Sequence, residues 1–198
     1  RLVPTPTSTR KGNWMLTASG KVYWPVDPRS SEVRISDIAH SLAMQCRYGG
    51  HSNRFYSVAE HSVLVSKLVP PEHALVALMH DATEAYVSDV PRPLKPSLSN
   101  YAEIEAANWK VIAQAFDLDI PLPACVHDID LRICLKEMAA LMPKPPLDLG
   151  IPGEMPDVFI ACWSPVVAES EFLRRFTQLW DQREAARYPA VDKKWRAA

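Results

Sequence analysis

Three ionisable side chains fall within five residues at His80-Asp81-Ala82-Thr83-Glu84, inside a stretch that is otherwise apolar. Ala74, Leu75, Val76, Ala77, Leu78 and Met79 precede them, and Ala85 follows. A carboxylate in such surroundings is costly to bury unless it is paired or binds a cation. Glu84 lies four residues after His80 and three after Asp81, so on a helix all three emerge from adjacent positions of one or two turns. One helix then offers a neutral imidazole and two carboxylates, a set suited to a divalent cation and its bound water. A second histidine, His61, stands one turn into the preceding helical stretch, in Val58-Ala59-Glu60-His61-Ser62-Val63-Leu64. Antiparallel neighbours joined by a short connection can face such residues toward each other. A further ligand has to come from elsewhere. Asp130 is the best placed, because Val126 and Ile133 put it near the buried stripe of its own helix; Asp128 and His127 lie off that face.

The elements that must position these residues are mostly helical. Trp14–Thr17 and Lys21–Trp24, around Ala18-Ser19-Gly20, predict a short β-hairpin. Ile35, Ile38, Ala39, Leu42 and Cys46 fall at helical spacing and predict a first helix from about Asp37 to about Arg47, with Ser36 as N-cap. Ser57-Val58-Ala59-Glu60 is a capping box, each end satisfying an unpaired backbone donor, and it opens a second helix that stops before Pro70-Pro71. A third is expected over about Pro71 to Tyr86, carrying His80 and Asp81 late in its course, and Asp89 to Pro96 is a proline-stiffened loop. A fourth follows Asn100 with Ile104, Ala107, Val111, Ile112, Ala115 and Phe116 on its apolar face. A fifth starts near Pro123 with Val126, Ile129, Ile133, Met138 and Leu141 inward, and Pro143 to Pro156 reads as a long surface loop. Ser164-Pro165 begins a last helix that turns Phe172, Phe176, Leu179 and Trp180 to the core; Trp109 and Phe116 also read as packing residues. The sum predicts an all-α helical bundle in one domain over 14–188, with a small N-terminal β-hairpin and flexible tails at 1–13 and 189–198.

Composition narrows the function classes. The 198 residues are 47% hydrophobic and 23% charged, the balance of a globular domain. A formal net charge of −1, from 22 basic and 23 acidic side chains, gives no bulk attraction for a nucleic-acid polymer or an anionic membrane. No apolar run approaches the ~20 residues needed to span a bilayer, and no apolar signal core opens the sequence, so a cytoplasmic protein is expected. Cys46, Cys125, Cys134 and Cys162 form no Cys-x-x-Cys pair, which removes zinc-knuckle and thioredoxin-type readings and predicts free buried thiols.

His61, then His80-Asp81 nineteen residues later, then Asp130 on a later helix resembles the metal signature of the HD-domain phosphohydrolase superfamily. The segment His80-Asp81-Ala82-Thr83-Glu84-Ala85, followed by Asp89-Val90-Pro91-Arg92-Pro93-Leu94-Lys95, is similar to the bacterial 5′-deoxynucleotidase branch and the related viral dATP triphosphohydrolases. The likeness spans about Ile35 to Met142. It implies an HD-type bundle and one divalent cation, manganese, cobalt, zinc, iron or magnesium, held by His61, His80, Asp81 and Asp130. It further implies removal of phosphate from (deoxy)nucleoside 5′-monophosphates by attack of a metal-activated water. Glu84 and Asp89 match the acidic residues placed around the attacking water and leaving group, Lys95 a phosphate-contacting lysine, and Arg47 a substrate-side arginine. At Arg47 the chain departs from the pattern, with Tyr48 where relatives carry tryptophan; a helix C-terminal arginine favoured by the dipole explains the residue as well.

The same metal chemistry would serve a dNTP triphosphohydrolase, the first alternative; a nucleotide-binding or interaction module with a vestigial metal site is the second. Guanosine tetraphosphate hydrolysis fits poorly, because Ala85 follows Glu84 where an acidic pair is needed, and no Gly-Tyr-Pro motif supports cyclic-dinucleotide cleavage. His40 and His51 read as structural histidines. The partners expected are a nucleotide substrate and a second copy of the chain, as a dimer.

Overall fold

The computed structural model of the protein describes residues 9–188; the parts of the two expected tails at 1–8 and 189–198 lie outside them. Two strands, β1 (Met15–Leu16) and β2 (Val22–Tyr23), precede seven α-helices among the described residues: α1 (Ile35–Met44), α2 (Val58–Leu68), α3 (Ala74–Leu78), α4 (Glu84–Val87), α5 (Tyr101–Phe116), α6 (Ala124–Leu141) and α7 (Pro165–Arg187). The all-α class with an N-terminal hairpin is therefore the one expected.

The hairpin is antiparallel, Met15 opposite Tyr23 and Leu16 opposite Val22, and Gly20 takes the positive φ of 74° that its turn requires. Residues 9–13 of the expected first tail are described, and Arg10 ties them down. Its guanidinium, 7% exposed, reaches Asp27 at 2.8 Å and Glu32 at 2.6 Å and lies over the Trp24 ring.

Helix α1 starts two residues earlier than the spacing predicts, with Arg34 rather than Ser36 at its N-cap, and ends at Met44. Arg47 consequently stands in extended backbone beyond the helix, where Cys46 bridges Ser57. At the head of α2 half of the expected capping box forms: Ser57 Oγ accepts from the Glu60 amide at 3.1 Å. The Glu60 carboxylate turns the other way. Fully buried, it accepts from the amides of Ala161, Cys162 and Trp163 at 2.7–3.0 Å, three successive donors with Cys162 at positive φ.

The largest departure concerns the expected third helix. A short 3-10 turn at Pro71–His73 leads into α3, which stops at Leu78; Met79 to Thr83 wind as turns before α4 resumes. His80 and Asp81 sit in that break, not within a continuous helix. The break has a local cause. The His80 Nδ1 donates to the Ala77 carbonyl at 2.8 Å, the acceptor that an unbroken α-helix would give to the Asp81 amide. Turn bonds Ala82 N–H to Met79 O and Glu84 N–H to Asp81 O, at 2.9 Å each, replace the helical ladder.

Helix α7 packs along α1, α2 and α3, and α6 meets α2. Tyr23, Ile38, Leu42, Tyr56, Leu78, Met79, Ile133, Leu141 and Phe172 are fully buried between them. Phe116, Phe176 and Trp180 form an aromatic cluster with centroids 5.4–6.3 Å apart, joining α5 to α7 as packing residues. On α5 the buried positions are Asn108, Ile112 and Ala113, whereas Ala107 is exposed. Asn108 earns its buried place by hydrogen bonds to the Tyr23 hydroxyl and the Pro25 and Ile104 carbonyls, at 2.7–2.8 Å. The 143–150 stretch is exposed, as a surface loop should be. All four cysteines are free and half-buried. No helix of the described residues is long and apolar enough to cross a membrane.

Candidate metal centre

The first turn of α2 turns His61 fully inward, and the break after α3 turns His80 toward it. Their Nε2 atoms are 3.3 Å apart. Asp130, from the middle of α6, brings Oδ1 to 3.2 Å from His61 Nε2 and 3.7 Å from His80 Nε2. The ligand atoms of His61, His80 and Asp130 lie within 4.8 Å of one another, and these three residues could hold a metal ion. Asp81 stands beside both imidazoles, its Oδ2 lying 3.5 Å from His61 Nε2 and 3.3 Å from His80 Nε2.

Hydrogen bonding settles which ring nitrogens face inward. His61 Nδ1 donates to Glu137 Oε1 at 2.7 Å and His80 Nδ1 to the Ala77 carbonyl, so a neutral ring at either position turns an Nε2 lone pair to the centre. Two lone pairs and the Asp130 carboxylate then converge, with Asp81 beside both imidazoles, an all-acceptor arrangement that suits a positive charge. The spacing fits a cation. Ligands bound at about 2.1 Å stand about 3.0–3.4 Å apart for right-angle to tetrahedral geometry, against the 3.2–3.7 Å found here.

The electrostatics agree. Burial and Arg47 act to lower the His61 pKa, yet Glu137 and Asp130 push it up to about 9. Burial likewise opposes, and Asp81 and Asp130 produce, a raised His80. Burial would lift Asp130, but the two histidines hold its carboxyl well below the usual range. Glu84 is displaced the other way: buried, and flanked by the charges of Asp81 and Asp89, it sits well above an ordinary carboxyl, and its Oε2 has no hydrogen-bond partner. Asp89 is also raised, by burial first and Asp81 next, while its amide donates to Gln45 Oε1 at 3.0 Å.

The eight residues expected at the site, His61, His80, Asp81, Asp130, Glu84, Asp89, Arg47 and Lys95, are brought to this region, though two cations are engaged differently from expectation. Arg47, 11% exposed, places Nη1 at 3.6 Å from Asp81 and Nη2 at 3.2 Å from Glu137, so its charge is already matched by protein carboxylates. Lys95 Nζ is 2.9 Å from Glu105 and 3.9 Å from Glu84. A cleft of about 700 Å³ opens from His80, Asp81 and Asp130 between the 92–95 loop and helices α5 and α6. Trp109 lines it, in addition to its packing role, with its indole N–H unpartnered. Asp128 is exposed and paired with Arg132, as its position off the buried stripe implies, and His40 bonds Glu169 across α1 and α7 rather than entering the cleft.

Two residues that contact the candidate site escaped the sequence reading. Glu137 is fully buried and gathers four donors: His61 Nδ1 and Tyr56 hydroxyl on Oε1, at 2.7 and 2.8 Å, and Tyr48 hydroxyl and Arg47 on Oε2, at 2.5 and 3.2 Å. Arg47 and His61 hold its carboxyl well below the usual range against the effect of burial. A signal existed: Ile133, Glu137 and Leu141 recur every four residues, and a glutamate inside such a stripe has to be bonded to something. The second is Arg92, whose Nη2 reaches Asp130 Oδ2 at 3.2 Å from between Pro91 and Pro93.

No protein-family model matches the chain. It is 34% identical to an uncharacterized protein of Rhodobacter capsulatus over 124 residues, 58% of this chain and 63% of that protein. It is 38% identical to YfdR, an uncharacterized protein of Escherichia coli, over 179 residues that make up 88% of this chain and 99% of YfdR. With that coverage, the chain belongs to the YfdR family.

Proposed function

We propose that the protein is a metal-dependent phosphohydrolase of the HD type that removes phosphate from (deoxy)nucleoside 5′-monophosphates. The observation that carries this reading is the convergence of His61, His80 and Asp130, from three separate parts of the fold, at the head of a cleft, with Asp81 Oδ2 within 3.3–3.5 Å of both imidazoles. A divalent cation bound there supplies a water of lowered pKa and offsets charge on phosphoryl oxygens. The protein's own groups do the rest. Glu137 and the Ala77 carbonyl hold the two imidazoles in the tautomer that offers Nε2 inward. Arg47 steadies Asp81 and Glu137 from behind. Glu84, which keeps its proton more tightly than a free carboxyl, serves as acid toward the leaving oxygen, and Asp89 serves as its acidic partner across the water, assistance typically worth about 10²–10⁴ in rate. Lys95, on the cleft wall, contributes a point charge toward phosphate.

The test is turnover by purified protein stripped with chelator and reloaded with manganese or cobalt, assayed for phosphate and triphosphate release across nucleoside mono-, di- and triphosphates. Phosphate release from monophosphates that disappears in Asp81→Asn supports the reading. Release of triphosphate alone moves it to the dNTP triphosphohydrolase alternative. Absence of any turnover, or turnover that survives Asp81→Asn, overturns it.

A further inference from the structure

The cations around the cleft differ in how much of their charge is already matched. Arg47 is enclosed between Glu137 and Asp81, and Lys95 between Glu105 and Glu84. Arg132, on α6 outside the cleft lining, is spent on Asp128 and the Glu154 carbonyl. Arg92 is different. It lines the cleft with its side chain 63% exposed, and Asp130 Oδ2, at 3.2 Å from Nη2, is its one hydrogen-bonding acceptor among the described residues. The remaining N–H groups of the guanidinium fork have no acceptor among the described residues, so they are available to an anion in the cleft.

Its placement relative to the metal centre is specific. Asp130 turns Oδ1 to the two imidazoles and Oδ2 to Arg92, so the guanidinium stands immediately across one carboxylate from the point where the ligands converge. The flanking Pro91 and Pro93 restrict the backbone of the loop while leaving the arginine side chain free to reorient. A guanidinium fork fits phosphate as well as carboxylate, which an ammonium does only as a point charge.

We infer that Arg92 is a specificity-determining residue: it binds a phosphate monoester dianion seated at the metal centre, holding Asp130 with one edge of the guanidinium and a phosphoryl oxygen with the other. This rests on the phosphohydrolase reading above and adds to it the group that selects the anion.

Two titrations separate that role from one exerted through Asp130. Manganese is titrated into metal-free protein, and inorganic phosphate into manganese-loaded protein, for the natural chain, Arg92→Ala and Arg92→Lys. Arg92 is largely exposed, so the fold is not at stake in either variant. A charge-assisted hydrogen bond lost from the anion predicts phosphate affinity lower by roughly 10–100-fold in Arg92→Ala, with manganese affinity unchanged. Arg92→Lys recovers part of the loss, and KM for the phosphomonoester rises more than kcat falls. Equal phosphate affinity in the natural chain and Arg92→Ala overturns the inference. So does a fall in manganese affinity as large as the fall for phosphate, which would make Arg92 a positioning residue for Asp130. The natural chain judges the reading beneath: if it neither binds phosphate nor turns over any nucleotide, that reading fails first and takes this one with it.

Discussion

Replacing Glu137 by glutamine exchanges one heavy atom, an oxygen for an amide nitrogen, and removes the charge from beneath His61. The carboxylate serves donors in pairs, His61 and Tyr56 on one oxygen, Tyr48 and Arg47 on the other. Glutamine keeps one acceptor oxygen; its amide nitrogen then faces two donors, and the buried Arg47 guanidinium loses a counter-charge 3.2 Å away. Breaking a buried ion pair costs about 3–5 kcal/mol. Since Asp81 still lies 3.6 Å from Arg47 and softens the loss, the lower end, about 3 kcal/mol, is expected. For a domain of this size that lowers the midpoint of thermal unfolding by roughly 6–12 °C. The second effect falls on the centre itself. Without the carboxylate the His61 ring is less firmly held and a poorer ligand, and manganese affinity drops by roughly 10–100-fold. Thermal unfolding followed by circular dichroism, and manganese titration of the folded variant, measure the two separately. A melting point within about 2 °C of the natural chain, less than 1 kcal/mol at this size, together with unchanged manganese affinity, would refute the claim that this carboxylate organises the site.

Glu60→Gln makes the matching control: it weakens the hold on the amides of Ala161, Cys162 and Trp163 and should cost about 2 kcal/mol in urea unfolding, with manganese affinity of the folded protein unaltered. Manganese at one hundred times its dissociation constant should raise stability by about 2.7 kcal/mol over chelator-treated protein, and Asp130→Asn should erase that difference. Phe172→Ala, emptying a fully buried position on α7, should cost about 3–5 kcal/mol without changing phosphate release per folded molecule.

How far the site could be read from sequence depends on the range of the interactions that build it. His80 and Asp81 were visible because charge in an apolar run is costly, and Asp130 because its offset from Val126 and Ile133 is a matter of helical periodicity alone. The interruption between α3 and α4 was not visible: the same residues suit a continuous helix, and only the bond from His80 to the Ala77 carbonyl diverts the chain. Periodicity misled on α6, where a search for apolar positions favoured Met138 and passed over Glu137, the residue that is in fact buried. The Ser57–Glu60 box located the start of α2 correctly, but the destination of the Glu60 carboxylate lies a hundred residues further along and leaves no local trace. Arg47 was assigned to the substrate from its place in the motif, while its burial between two carboxylates is a property of tertiary packing.

Glu60 and His61 are consecutive, one clasping the stretch of chain that enters α7 and the other facing the candidate metal site. During synthesis, a nascent polypeptide that has emerged only as far as α6 already contains every proposed ligand, yet the helix bearing His61 still lacks the backbone that anchors it. A product terminated before residue 161 would keep all four proposed ligands and the bond from His61 to Glu137, yet it would lose the three backbone amides that engage the neighbouring Glu60.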